Sequence, residues 1–295
     1  MDQALLLALD AGSYILAIVL VAMGLVIIFG LMRVINMAHG ELFLLGAYCV
    51  VAVEGAGGNF WLGLLLAPFA VGLVGLVVEQ LVVRHVYHRF LDSILATWGL
   101  SIAIKQAVVL GFGPASQQVS LPIAGSLSLL GTDYPVYRLF IMAVSLAVVG
   151  FTFWIFFRSD FGLKARSVIA NRDMAACLGI NTRRLDRTTF AYGAALAGLA
   201  GAVMAPIMSV DPQMGLGFLV PAFLSILVGG SGHLAGALVG ATVIGGTDSV
   251  TAALWSPVAA QIVVFTMAVI AIRLFPDGVV GKRRRQGRRF FGKRR

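Results

Sequence analysis

Charge is scarce in this sequence. Only 12% of its 295 residues are Asp, Glu, Lys or Arg, about half the ~25% of an ordinary soluble domain. Hydrophobic residues make up 59%, and the mean hydropathy is +0.95. A water-soluble globule is excluded, and no polar stretch is long enough to enclose a core of its own. Cysteine is nearly missing. Cys49 lies in an apolar run and Cys177 in a charged stretch, which excludes a disulfide framework and a cysteine metal site. There is no phosphate-binding GxxxxGK[ST] loop, no HExxH, no CxxC and no GxSxG. The chain is therefore expected neither to hydrolyse ATP itself nor to be an enzyme, and no cofactor or metal is expected. The opening MDQALLLALDAG lacks the basic start of a signal peptide, so the first apolar run is expected to be a retained span.

What is present is long apolar runs. Candidate spans of about the ~20 residues that cross hydrocarbon cover 11–32, 35–54, 60–83, 92–112, 137–157, 189–208 and 257–275, with a glycine-broken region at 216–252. The expected fold is an all-α membrane protein, a polytopic bundle of about 7–9 transmembrane helices with a glycine-broken half-helix region. Lys and Arg are absent from 1–32 and 106–137 but present in 84–91, in 158–187 and in the tail. Because basic residues stay in the cytoplasm, the N-terminus is expected outside and the C-terminus inside. That requires an odd number of crossings, so 216–252 either crosses twice or dips in and returns.

The basic balance is local. Residues 282–295 hold nine Lys or Arg, and the other 281 residues carry thirteen bases and thirteen acids. The chain divides into a transmembrane domain, 1–281, and a basic cytoplasmic tail, 282–295. The tail reads as a topology anchor touching anionic membrane lipid, with no nucleic-acid partner expected.

Glycine is patterned. Gly232, Gly236 and Gly240 recur at every fourth position, as do Gly193, Ala197 and Gly201, and Ala194, Gly198 and Ala202. Such stripes let helices approach closely in lipid. They fit packing within the subunit, or else a subunit interface or pore constriction.

Polar groups inside spans are functional candidates by default. The densest cluster is Arg33-Val34-Ile35-Asn36-Met37-Ala38-His39-Gly40-Glu41. On a continuous helix Asn36, His39 and Gly40 share a face. They would line a solute pathway with hydrogen-bonding groups, Gly40 leaving room for passage. The plainer reading is that Asn36 and His39 tie neighbouring helices, and that Glu41 pairs with a cation such as Arg33 or Lys105. Thr97 and Trp98 are further pathway candidates. Lys105, about thirteen residues beyond the basic segment 84–91, is expected near the outer leaflet, its ammonium reaching water. Glu79 is expected to pair with Arg84.

The segments GLMRVINMAHGELFLLGAY (30–48), GLKARSVIANRDMAACLGINTRRLDRTTFAYGAALAGLAGA (162–202), VGGSGHLAGALVGA (228–241) and RLFPDGVVG (273–281) resemble the LivH-type permeases of bacterial ABC importers for branched-chain amino acids. LDSILATWGLSIAIKQAVVLGFGP (91–114) and NRDMAACLGI are more similar to the urea-permease (UrtB-like) branch, although Lys105 and the long arginine-rich tail depart from it. The resemblance implies a permease subunit moving urea, a short-chain amide or a branched-chain amino acid across the bacterial inner membrane. It implies a second, LivM-like permease subunit, a periplasmic solute-binding protein and two cytoplasmic ATPase subunits, which would bind the ATP. It also implies that 158–187 is the loop the ATPases push, with Gly162, Ala165, Asn171, Ala175 and Gly179 in the contact pattern. Rival classes are an ion-coupled secondary transporter and a passive urea or amide channel.

Overall fold

The structure, a computed structural model, describes residues 2–87, 89–129, 132–230, 233–275 and 278–280. It is almost entirely helical. Helix α1 spans Asp2–Met32, α2 His39–Gly55, α3 Phe60–Leu81 and α4 Phe90–Phe112. A two-stranded hairpin, β1 Ser126–Leu129 with β2 Thr132–Pro135, leads into α5, Val136–Arg158. Two short helices follow, α6 Asp160–Ala170 and α7 Arg172–Cys177, then α8 Thr182–Met204, α9 Met214–Gly229, α10 Leu234–Leu254 and α11 Pro257–Leu274. Among the described residues, seven helices are long and apolar enough to cross a membrane: α1, α3, α4, α5, α8, α10 and α11. Helices α2 and α9 are shorter, at 17 and 16 residues.

Helix α1 is the axle. Residues 17–28 are all buried, so this helix is apolar all round because protein, rather than lipid, surrounds it. It packs on α5, α8, α9 and α10. Close approach depends on residues without side chains. A Cβ on Gly193 of α8 would meet the carbonyl of Gly24 in α1, and one on Gly201 would overlap the carbonyl of Phe43 in α2. The α8 stripes are thus spent on contacts within the chain. By contrast α3, α4 and α11 expose large apolar side chains, among them Phe69, Leu95 and Phe265, as helices bordering lipid or another subunit do.

The glycine-broken region is an antiparallel pair. A Cβ on Gly240 would overlap the carbonyl of Ser225, and one on Gly229 would overlap that of Gly236. The chain therefore runs along α9 and back along α10, an antiparallel pair of the kind that both a double crossing and a dip would give, with only α10 of full spanning length. Gly236 and Gly240 make this contact, whereas Gly232 lies outside the described residues. So does the 282–295 tail.

The expected continuous span 35–54 is broken. Residues 33–36 are not helical, 37–38 form a turn, and α2 begins only at His39. Yet the start of α2 lies deep. His39 reaches Val21, and its ring fills the space beside Gly24. Gly24 is eight residues, or ~12 Å, inside the end of α1. The chain leaves α1, climbs back as non-helical backbone, and starts α2 at depth. Non-helical backbone at such a level persists only where protein satisfies it or where it lines a cavity.

Candidate functional site

The backbone of 33–38 is held by side chains sixty residues away. The Thr97 hydroxyl of α4 accepts from the Met37 N–H at 3.1 Å, and it stands 2.7 Å from the Ser93 carbonyl and 3.3 Å from the Ile35 carbonyl. Asn36 is not on a helix, so it does not share a helical face with His39 and Gly40. Its Oδ1 accepts from the Ala38 N–H at 3.1 Å, closing a local side-chain turn. His39 Nε2 lies 3.0 Å from the Val21 carbonyl and ties α2 to α1. Gly40 leaves room for a backbone rather than a solute, because a Cβ there would overlap the carbonyl of Gly215 at the start of α9. His39 and Gly40 tie elements together, as the plainer reading has it, whereas Asn36 bonds within its own segment.

The same residues also carry unused polarity. Asn36 Nδ2, His39 Nδ1, Ser101 Oγ, the Tyr48 hydroxyl and both Glu41 carboxylate oxygens are buried with no protein hydrogen-bond partner. Buried polar groups are normally satisfied, so a cluster of exceptions asks for a cause. Four of these residues, Asn36, Glu41, Tyr48 and Ser101, fall on one seam. Ser93, Thr97, Ser101 and Lys105 recur every fourth residue along one face of α4, and the first three are buried. Opposite them stand Asn36, Glu41 and Tyr48, the last two on one face of α2 at seven-residue spacing.

Midway along the seam Lys105 Nζ meets Glu41 Oε1 at 3.5 Å, with side-chain exposures of 15% and 1%. Of the two cations weighed from sequence, Lys105 is the partner. Its ammonium, expected to reach water, is instead turned to this carboxylate, which the early start of α2 brings alongside. The ring of Trp98 lies 5.9 Å from the same ammonium, within cation–π range, while 45% of Trp98 is exposed. The backbone around Glu41 suits a negative charge. This residue lies in the first turn of α2, where the helix dipole favours an anion, and the lysine is its counter-charge.

Below the seam opens a cleft of about 510 Å³. Arg33, Arg89, Ser93, Asn171, Arg172 and Asp173 contribute to its walls. Ser93 belongs to both cleft and seam, so one polar column runs from the charged end of the protein to Glu41 and Lys105. Arg33 adopts a positive φ of 54° where the chain turns from α1 into the non-helical segment.

The charged loop is a compact helical unit. Ser159 caps α6, accepting from the Gly162 N–H at 3.2 Å. Gly162 lets α6 fold under α5, since a Cβ would overlap the Phe156 carbonyl. Asn171 caps α7 through the Met174 N–H at 3.0 Å, and Asn181 caps α8 through the Arg184 N–H at 2.9 Å. Gly179, at φ +83°, closes α7 with bonds from its own N–H to Ala176 and from the Ile180 N–H to Ala175, the glycine C-cap arrangement. Because α8 starts at Thr182, Arg183 to Arg187 form its first turns and the loop is shorter than 158–187. Ala165 and Ala175 are buried within the chain, whereas Asn171 and Gly179 are exposed. Between the exposed polar residues Met174 and Leu178 stand out, 58% and 76% exposed. Sequence reasoning passed over both, and an apolar side chain beside a helix-capping glycine was the signal available.

Glu79 does not pair with Arg84. Its buried carboxylate accepts from Tyr87 at 2.7 Å and faces Arg187 Nε at 3.6 Å. Burial, the bond to Glu79 and the nearby charges of Glu79 and Asp186 push the Tyr87 hydroxyl well above the ordinary tyrosine range, so it stays a hydrogen donor.

The sequence that builds this arrangement has counterparts. Residues 8–272 match the family described as branched-chain amino acid transport system / permease component. The chain belongs to that family. It resembles the high-affinity branched-chain amino acid transport system permease protein LivH of Salmonella typhimurium, 28% identical, with 89% of this chain and 91% of the relative covered. BraD of Pseudomonas aeruginosa, a permease protein of the same named system, is also 28% identical, with 95% of each chain covered. A guanosine ABC transporter permease protein, NupQ of Bacillus subtilis, is 26% identical over 74% of this chain and 73% of its own. As a member of this permease family, the chain is a transport subunit rather than an enzyme. Membership of the urea branch is not among these findings.

Proposed function

We propose that this chain is one of two permease subunits of an ABC importer in the bacterial inner membrane, with its N-terminus periplasmic and its C-terminus cytoplasmic. A periplasmic binding protein delivers the solute. The solute passes along the α2–α4 seam, reaching the cytoplasm through the cleft lined by Arg33, Arg89 and Arg172. Two cytoplasmic ATPases bind ATP and press on α6 and α7. Asn171, Met174, Leu178 and Gly179 form the contact, while Gly162, Ala165 and Ala175 hold the two helices in place beneath it. The observation that carries the reading is the polar column itself, a line of buried polar groups, several of them without a protein partner, ending in an open cleft beside the loop.

Branched-chain amino acids are the first substrate reading, supported by the family and by the charged pair at mid-seam. Urea or a short-chain amide is the second, supported by the neutral groups of the lower seam, Asn36 Nδ2, His39 Nδ1 and Thr97. The test is uptake by the reconstituted complex at saturating binding protein, with assembly checked first. Leaving a polar solute unpaired costs ~1–3 kcal/mol per group, or roughly 5- to 150-fold in rate if it falls on the barrier. Asn36→Leu and Ser101→Ala are both expected to slow uptake within that range. Ser101→Ala removes a hydroxyl that holds nothing else in place, so wild-type rates in both variants place the pathway away from this seam.

A further inference from the structure

We propose that Glu41 and Lys105 form a charge-exchange station selecting for zwitterions, a role that rests on the pathway reading above. A solute carrying an ammonium and a carboxylate on one carbon opens the pair, its carboxylate taking Lys105 and its ammonium taking Glu41. One ion pair becomes two, and no charge is left alone at depth.

Three features argue for exchange over a purely structural bridge. The first is incompleteness. The two groups meet at 3.5 Å through one carboxylate oxygen, and both oxygens of Glu41 lack a hydrogen-bond donor. A structural ion pair buried this deeply needs its remaining lone pairs satisfied to repay desolvation. The second is position, midway along the seam. Ser101 lies one turn below Lys105 on α4 and the Tyr48 hydroxyl two turns beyond Glu41 on α2, each buried with its polar atom unused. The third is a place for both parts of such a solute. Trp98 stands beside the ammonium and, with Ile102, offers an exposed apolar surface on α4 for an aliphatic side chain.

The pair also rejects. A lone cation or anion entering the seam would take one partner and orphan the other, the costly way to break a buried pair. A neutral amide can compete with neither charge and leaves the bridge closed. Selectivity for zwitterions thus follows from the bridge being intact between passages.

The experiment uses the reconstituted complex with its binding protein, with L-leucine, L-isoleucine, L-valine and urea as probes. Lys105→Met and Glu41→Gln are each expected to lower amino-acid uptake by about tenfold or more. The deciding variant is Glu41→Gln/Lys105→Met, which removes both charges and with them any unpaired charge. A structural bridge is replaced by this neutral pair without loss of transport, whereas a charge-exchange station stays impaired about tenfold in an assembled complex. The swapped pair Glu41→Lys/Lys105→Glu keeps a bridge and is expected to transport faster than the neutral pair, and it serves where the neutral pair assembles poorly. Wild-type uptake in the neutral pair overturns the proposal, as does a swapped pair no faster than either single variant. Transport of urea but of none of the three amino acids by the unaltered complex overturns it too. If Asn36→Leu blocks uptake while the neutral pair transports normally, the pathway stands and the exchange falls. Normal uptake in both removes the pathway as well.

Discussion

Arg172 sets both terminal nitrogens of its guanidinium on the two oxygens of Asp186, tying the first residue of α7 to the first turns of α8. Asp186 is fully buried and Arg172 is partly exposed. The paired carboxylate raises the affinity of the arginine for its proton, so the arginine stays charged. At the next residue of α8, Arg187 faces Glu79 of α3. Force applied to α7 therefore has a stiff route into the membrane helices.

Breaking that link is expected to uncouple the transporter. Arg172→Met leaves the Asp186 carboxylate buried and alone. Removing one partner of a buried pair costs ~3–5 kcal/mol, and the partial exposure of Arg172 brings this to about 1–3 kcal/mol after screening. Solute-stimulated ATPase activity is expected to fall severalfold in complexes that still assemble. Full stimulation in Arg172→Met would show that α7 transmits nothing through α8.

Gly179 separates strain from contact. No atom lies within 4 Å of where its Cβ would be, so Gly179→Ala costs only the left-handed backbone, ~1–2 kcal/mol. Gly179→Arg adds to that strain a long charged side chain beside Leu178. Alanine is expected to retain solute-stimulated ATPase activity and arginine to lose it, with both proteins present in the membrane. Equal activity in the two variants would remove this surface from the ATPase contact.

Two sites report the orientation. Cys177 is exposed in the charged loop, and Ser120 is exposed in the segment free of Lys and Arg. With Cys49 replaced by serine, a membrane-impermeant thiol reagent is expected to reach Cys177 only from the cytoplasmic side. In a chain also lacking Cys177, it is expected to reach Ser120→Cys only from the periplasm. Labelling of both from one side would invert or break the proposed topology.

Helix contacts built on glycine are expected to fail with a single methyl group. Gly201→Ala drives a Cβ into the Phe43 carbonyl, and Gly46→Ala drives one into Gly198. Overpacking of this kind costs ~1–3 kcal/mol. Gly99 and Gly111, with nothing near their Cβ positions, are the controls, expected to tolerate alanine without loss. The readout is the melting temperature of the purified subunit complex in detergent.

The sequence by itself determined the class of protein, the approximate spans and the charged loop, because hydropathy and Lys/Arg placement record the cost of leaving water one residue at a time. It also named two candidate partners for Glu41, Arg33 and Lys105. Only the tertiary structure chose between them. The break at 33–38 is invisible to hydropathy, since Val34, Ile35, Met37 and Ala38 are as apolar as any helix, and the group that satisfies its backbone, Thr97, is sixty residues away. That break sets the start of α2 beside Gly24, within the length of α1, and so decides that Glu41 meets Lys105, that Gly40 meets Gly215 and that Asn36 turns on itself. Arg187 reaches Glu79 for a similar reason, as α3 and α8 cross closely on Gly75 and Gly198. A polar side chain at depth must find a partner, but which partner is a property of distances between helices, and those exist only in the folded bundle.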